Sequence, residues 1–561
     1  MFNFDIVFNI FGYLSTHDIL SFSTSNRYYN KIFNNKIILK NCFFTAKKSL
    51  PDLKFISKLS YKIYNLSISK CKNFTDNDFK YLKNINTLDI SNCNQDTITD
   101  EAFKYLKNIY SLNMSNCNQI TITDEAFKYL KNIYSLNMSN CNQITITDKA
   151  FESLHGIHTL NISGCNQKII TDEAFKHLKG IHTLNISNCK QITDKAFEHL
   201  KGIHTLNISN CKQITDKAFE HLKGIHTVCI AWCNQITDKA FEHLKGIHTL
   251  NMQGCKQKTI TDKAFENLIG IHTLILRFCN QNTITDKAFQ YLKGIFNLDM
   301  FNCNQNTITD NAFEYLQGIS ILNISECNRE TITDKAFKKL QGIHSLHMSN
   351  CNQNTITDNA FENLKGIHSL NILGCNQEEI TDKAFENLKG INTLIMSSCN
   401  QDTITDKAFK NLKGIHTLDM SFCNQKTITD KVFKNLRGIH TLNISKCNQI
   451  TDTSFKYFKN IHTLTINYCT IITDRAFEYL KGIHILNMYY CNQETITDKA
   501  FENLKGIHTL NISACNQKTI TDKAFQYLKG IHTLDISFCN QKEITDKALE
   551  YLKGIDTLNM S

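Results

Sequence analysis

Cysteine and histidine are the side chains of this 561-residue sequence best suited to chemistry, and both return at fixed intervals. From Cys71 a cysteine recurs at 93, 117, 141 and onward to 539, always 22 or 24 residues after the last. In fourteen of these units, from His158 to His532, a histidine stands seven residues before the cysteine. Zinc binding would require ligands that converge on one point, and disulfides would require paired sulfurs facing each other. No Cys-x-x-Cys occurs, the cysteine total of 23 is odd, and stacked units place equivalent residues roughly 5 Å apart with parallel side chains. The expectation is a ladder of reduced, buried thiols behaving as small hydrophobes, beside a ladder of polar turn histidines. No metal or cofactor is expected. Nor is catalysis, because a nucleophile needs a base and an orienting group in a unique pocket, and every candidate here is repeated.

The elements that position these columns follow from one unit. Leu206-Asn207-Ile208 alternates apolar and polar as a half-buried strand must, and Ala218, Phe219 and Leu222 share a helix face. Thr215 can cap the helix, and Asp216 puts negative charge at its positive end. All 21 helices finish at Gly or Asn: Gly in seventeen units, and Asn84, Asn108, Asn132 or Asn460 in the others. These residues predict a left-handed stop. The two-residue difference between units falls in the loop after the cysteine, as in Cys165-Asn166-Gln167-Lys168-Ile169-Ile170-Thr171. No unit of this size buries its apolar side alone, so neighbours must stack with strands on one face and helices on the other.

Charge and composition narrow the function. Residues 1–62 hold nine Lys/Arg against three Asp, a net +6 of the chain's +10, so residues 63–561 are nearly neutral at +4. The early lysines are scattered, as on a solvated helical surface, and nucleic acid is not expected as a partner. There is one proline, Pro51, no apolar run of 18 residues, and no basic leader at Met1-Phe2-Asn3-Phe4-Asp5. The expectation is a chain without membrane contact, in the cytoplasm or nucleus.

The Ile-x-x-Leu-x-Ile-x-x-Cys pattern resembles leucine-rich repeats of the cysteine-containing kind, found in many F-box proteins, over residues 63–561 in about 21 units. The resemblance implies an α/β leucine-rich-repeat solenoid, a curved parallel sheet inside and helices outside. Residues 1–45 resemble an F-box, a small all-α segment, with 46–62 as a connector. The family's Ile-Phe-x-Tyr-Leu run and Asp-Leu-Leu match Ile10, Phe11, Tyr13, Leu14, Asp18, Ile19 and Leu20; its Leu-Pro opening is absent, and Tyr29 stands for its Trp. The resemblance implies a substrate-recruiting subunit of a cullin-RING ubiquitin ligase. Ile10, Phe11, Leu14, Ile19 and Leu20 would then face a Skp-type adaptor and its cullin. The alternative is a repeat protein that binds a partner without any ligase. The Asn, Lys and Ile richness is similar to that of F-box and repeat proteins encoded by large DNA viruses.

The target, an unidentified protein, should meet the solenoid where uniformity breaks. Positions six, four, two and one before each cysteine are mostly Thr, Asn, Ser and Asn, as in Thr183, Asn185, Ser187 and Asn188. In those columns stand Trp232, then Ile275, Arg277 and Phe278, then Phe301, and farther on Tyr468, Tyr489 and Tyr490. Trp, Tyr and Arg dominate binding hot spots, so these eight residues are the expected target site. The chain stops at Leu558-Asn559-Met560-Ser561, and the open strand there is expected to exchange its amide hydrogens fastest.

Overall fold

The computed structural model describes residues 43–45, 65–72 and 74–560, in two units that divide between Ile271 and His272. In the first unit, three-residue strands run in parallel from Phe43–Thr45 to Thr249–Asn251. In the second, they run from Thr273–Ile275 to Thr557–Asn559. The strand Phe43–Thr45 lies within the range read as an F-box-like segment and pairs with Asn65–Ser67. Residues 1–42 lie outside the described residues, and with them Ile10, Phe11, Leu14, Ile19 and Leu20.

Strict register holds each stack together. Thr183, Leu184 and Asn185 face Thr205, Leu206 and Asn207, and the pairing repeats without a slip in 22- and 24-residue units alike. The extra residues are absorbed in the loop after the cysteine, away from the ladder. Inside, each unit contributes one column apiece of Leu, Ile or Met, Cys, Ala and Phe; Leu206, Ile208, Cys211, Ala218 and Phe219 are all buried. A void at one Phe rung would cost about 3–5 kcal/mol, so these columns supply most of the cohesion between rungs.

The helices are shorter than a typical globular helix. Asp216–Phe219 is a single α-turn, and Asp194–His199 is 3₁₀. Only a few residues separate the threonine cap from the glycine stop, so a second full turn has no room. The cap forms as expected, with Thr215 Oγ1 accepting the Lys217 N–H at 3.4 Å. The aspartate does more than answer a dipole. Asp216 Oδ1 accepts the Thr237 N–H at 2.7 Å and Oδ2 accepts the Thr237 hydroxyl at 2.6 Å, clamping each helix start to that of the next unit.

The helix stops divide by residue type. Before Gly294 (φ +85°), Lys293 has φ −56° and ψ 125°, a type II turn that requires a left-handed residue third. Asn460 follows the glycines at φ +71°. Asn84, Asn108 and Asn132 do not take positive φ, contrary to expectation. At Asn84 the preceding Lys83 has φ −56° and ψ −19°, a type I turn, which spares the side chain the left-handed region. Among the described residues no helix is long and apolar enough to cross a membrane.

Candidate functional site

Both chemical columns are structural ladders. From Cys93 on, the buried thiols donate to carbonyls of the preceding unit, as Cys117 Sγ does to Ile90 O at 3.2 Å, Cys189 Sγ to Ile162 O at 3.1 Å and Cys303 Sγ to Leu276 O at 3.0 Å. Burial pushes the thiols up, Cys117 to about 11 and Cys93 to about 12, so thiolate is scarce at neutral pH. Among the described residues no three His, Cys, Asp or Glu side chains are grouped to hold a metal. The imidazoles stack face to face: His158, His182, His204, His226 and His248 lie 4.4–4.5 Å apart between centroids in the first unit. A second stack runs from His416 to His532. Parallel rings hold their in-plane lone pairs side by side, so they do not converge on one ion. Most of these rings are oriented by Nδ1 against the next residue's hydroxyl, as His204 is by Thr205 at 3.1 Å, while His532 Nδ1 meets Asp556 Oδ2 at 2.8 Å.

The position before each cysteine has a second property. There the chain leaves the strand through a tight turn, Cys211 N–H bonding Ile208 O at 3.1 Å, and the second of the two residues between, the one before the cysteine, adopts φ of +53° to +70° in every unit. Asn and Gly, the residues that tolerate this conformation, fill ten of the 21 rungs. Trp232, Phe278, Phe422, Tyr468, Tyr490 and Phe538 fill six others. A large aromatic held there costs about 1–2 kcal/mol relative to an ordinary backbone. Lys70, Glu326, Ser398, Lys446 and Ala514 fill the remaining five, also at positive φ, so the conformation alone does not select aromatics; what sets the six apart is the aromatic surface they carry at rungs where Asn would cost less.

In the first unit, Trp232 is 40% exposed and lays its ring over Gly254, where an added Cβ would fall 2.4 Å from Cε3. Lys256 Nζ stands 5.9 Å from the indole centroid. In the second unit, Phe278 and Phe301 meet edge to face at 5.3 Å. Arg277 Nε donates to Asp299 Oδ2 at 2.5 Å and the guanidinium lies 5.9 Å from the Phe301 ring. Ile275 is half-buried on the strand, paired in register with Asp299. Farther along, Tyr468 lies 5.3 Å from Tyr489 and 5.1 Å from Tyr490, ring to ring. The Phe278 and Tyr468 groups stand eight rungs apart in the cysteine count, roughly 40 Å along the ladder. Sequence reasoning missed Phe422 and Phe538, which are 38% and 65% exposed. Their place immediately before Cys423 and Cys539 was the available signal.

A non-repeated polar group also lies on the second unit's sheet. Ser345 Oγ is 3.3 Å from His347 Nε2, and desolvation holds that imidazole below its usual range. Asp299, which would raise it, is engaged with Arg277 and with the Phe301 N–H at 3.1 Å. A hydroxyl beside a base is thus present, with the nearby carboxylate committed elsewhere.

Overlapping matches to the BspA type leucine rich repeat region, the first over residues 50–181 and the last over 448–561, together span residues 50–561. No curated protein matches the sequence. Among solved structures, the crystal structure of the TLR13-ssRNA13 complex is similar over 90% of this chain and 89% of that one. The TM-score is 0.61 and the identity 16%, a likeness of fold. With its repeats matched over nearly the whole length, the chain belongs to the BspA type leucine-rich-repeat family.

Proposed function

We propose that this solenoid is a protein-binding module that holds its target through the large side chains at the positive-φ rungs and the sheet positions beside them. In the first unit that means Trp232; in the second, Ile275, Arg277, Phe278 and Phe301, then Tyr468, Tyr489 and Tyr490. The carrying observation is that aromatics stand at rungs where Asn would cost less and are grouped there with neighbouring rings, Phe278 with Phe301 and Tyr468 with Tyr489 and Tyr490. Exposed and half-exposed aromatics grouped in this way supply much of the binding energy in protein interfaces. Catalysis is no part of this reading, because among the described residues the unrepeated hydroxyl–imidazole pair, Ser345 and His347, has its neighbouring carboxylate tied to Arg277. The TLR13 complex holds single-stranded RNA by its title. The near-neutral charge of residues 63–561 favours a protein here, since phosphate backbones are bound mainly through net positive charge.

The finer reading is that the module recruits substrates to a cullin-RING ubiquitin ligase, in the cytoplasm or nucleus. It is supported by the F-box-like residues Ile10, Phe11, Leu14, Ile19 and Leu20 ahead of cysteine-bearing repeats, and by a thiol ladder suited to a reducing compartment. Co-purification tests it. The full chain should retain a Skp-type adaptor, and Phe11→Ala with Leu14→Ala should release it while the repeats stay folded. An adaptor that never co-purifies, or that the double change leaves bound, removes the ligase and leaves the binding module.

A further inference from the structure

Charge on the helix side of the repeats nearly balances over neighbouring rungs, except in one run of three within the second unit. A standard rung reads Thr-Asp-Lys-Ala-Phe-Glu-x-Leu-Lys-Gly, as from Thr497 to Gly506, where Lys499 and Lys505 offset Asp498 and Glu502. In the rung from Thr405 to Gly414 the glutamate's place is taken by Lys410, between Lys407 and Lys413. The next rung carries Lys431, Lys434 and Arg437; the third carries Lys456 and Lys459, with Thr453 in the remaining place. Eight of nine equivalent positions are therefore cations, and all eight are exposed. Three aspartates, Asp406, Asp430 and Asp452, oppose them and leave a net +5, while Asp402 and Lys426 in the loops between cancel. No other two consecutive rungs from Thr75 to Gly554 are both net positive.

Contacts inside the fold do not account for the array. The clamps occupy the aspartates: Asp406 accepts the Thr429 N–H at 2.7 Å and Asp452 the Thr473 N–H at 2.8 Å, each one rung on. In the first unit Lys104 and Lys128 stand in the column of Lys410, but Glu101 and Glu125 three residues earlier pair with them. Among the described residues none of the eight cations forms an ion pair. Their helices are 3₁₀, Ala408–Asn411, Asp430–Asn435 and Asp452–Tyr457, in which residues i and i+3 eclipse, so Lys431 and Lys434 stand one above the other. Like charges held this close repel one another, and a bound anion removes that cost.

Three observations say which anion fits. The array is short: rungs repeat about every 5 Å, and the rungs beyond return Glu386 and Glu478 to the column of Lys410, so a polyanion running on along the ladder would meet like charge at both ends. Tyr457, the one aromatic among these exposed positions, is half-buried and engaged by Arg437 at 5.6 Å and Lys456 at 5.1 Å, which is no open platform for a stacked base. No aliphatic side chain is exposed on the three helices, so none is placed to enter a bilayer. An extended peptide presents alternate side chains about 6.5 Å apart, so two or three carboxylates on one face of a short segment span the three rungs. From this unpaired array closed off by glutamates, we infer that the helix side between Lys407 and Lys459 docks a short acidic segment of a protein partner. The surface is separate from the aromatic rungs, which lie where the chain leaves the strands, and it goes beyond the binding reading without depending on them.

The test uses the full chain and fluorescein-labelled synthetic peptides about ten residues long, one alternating Glu with Ser and one with Gln in place of Glu. Anisotropy at low salt should rise with the Glu peptide and about tenfold less readily with the Gln peptide, and the binding should fade as added salt screens the surface. Lys410→Glu with Lys434→Glu, which restores the residue of a standard rung such as Glu502, should weaken the Glu peptide about tenfold. Lys239→Glu with Lys263→Glu makes the same change in net charge elsewhere and should leave binding within about twofold of the parent. Trp232→Asn should leave it unchanged. Equal binding of the two peptides, indifference to the reversal at Lys410 and Lys434, or an equal loss from the reversal at Lys239 and Lys263 overturns the inference. So does capture of oligodeoxythymidylate, or of vesicles containing phosphatidylserine, through Lys410 and Lys434 in preference to the Glu peptide. Such a failure leaves the aromatic reading standing, since capture of a target through Trp232, Phe278 and Tyr490 is measured separately.

Discussion

The clamp between successive units makes a quantitative demand that can be tested at Asp382. Its Oδ1 accepts the N–H groups of Thr405 at 2.7 Å and Ala408 at 3.2 Å, and Oδ2 accepts the Thr405 hydroxyl at 2.7 Å. Hydrogen bonds to a charged group contribute about 1.5–3 kcal/mol each. Asp382 is half-exposed, so water replaces part of what is lost and the lower end applies. Two strong bonds then give a loss of about 3 kcal/mol for Asp382→Ala. Asp382→Asn keeps one carbonyl acceptor and should lose about half as much. Because each rung touches only its neighbours, the damage should stay local. Urea unfolding should report the loss in stability, and hydrogen exchange should accelerate at Thr405 to Ala408 before it does several rungs away. An alanine variant within about 0.5 kcal/mol of the parent, or exchange raised evenly along the chain, would refute the clamp.

Arg329 fills a column that neighbouring 24-residue units give to Gln. It is 2% exposed, bonded only through Nη1 to Gln305 O at 3.3 Å, and no described carboxylate pairs with it. Arg329→Gln should therefore stabilise the chain by about 1–3 kcal/mol in chemical denaturation, and a loss of stability would contradict the uncompensated charge. The interior histidines His226 and His440 are held below the usual imidazole range, first by desolvation and then by the rings on either side. Unfolded chains bind these protons first as pH falls below 6.5, so stability should drop on that side; the raised thiols invert the sign, and stability should fall as pH climbs past 9. A melting temperature flat from pH 5 to 10 would count against both ladders. Gly254→Ala places a Cβ 2.4 Å from Trp232 at φ +69°, so it should displace the indole and shift its fluorescence; an unchanged spectrum would show that the ring does not rest there.

Much of this was legible from the sequence because a repeat states its own register. The cysteine column, the Thr cap and the buried Phe all follow from residue type and spacing within one unit. What stayed hidden depends on the unit next door. Asp216 reads as a helix-dipole residue until Thr237, 21 residues later, is found bonded to both of its oxygens. The positive-φ rung was obscured for the opposite reason: Asn188 and Gly254 announce it, but Trp232 and Phe422 in the same column do not. Asn84, Asn108 and Asn132 misled because a stop signal does not say which turn type closes it.

The measurement closest to the central claim compares stability and capture in one protein. Trp232, Phe278 and Tyr490 would each be changed to Asn, the residue most common at their rungs, and the full chain used to capture proteins from cells that express it. The account predicts a variant folded at least as well as the parent, apart from the apolar contact each ring gives up, with target capture weakened at least tenfold. A variant that captures its target at full strength would contradict it, because the strained aromatics would then serve nothing outside the fold.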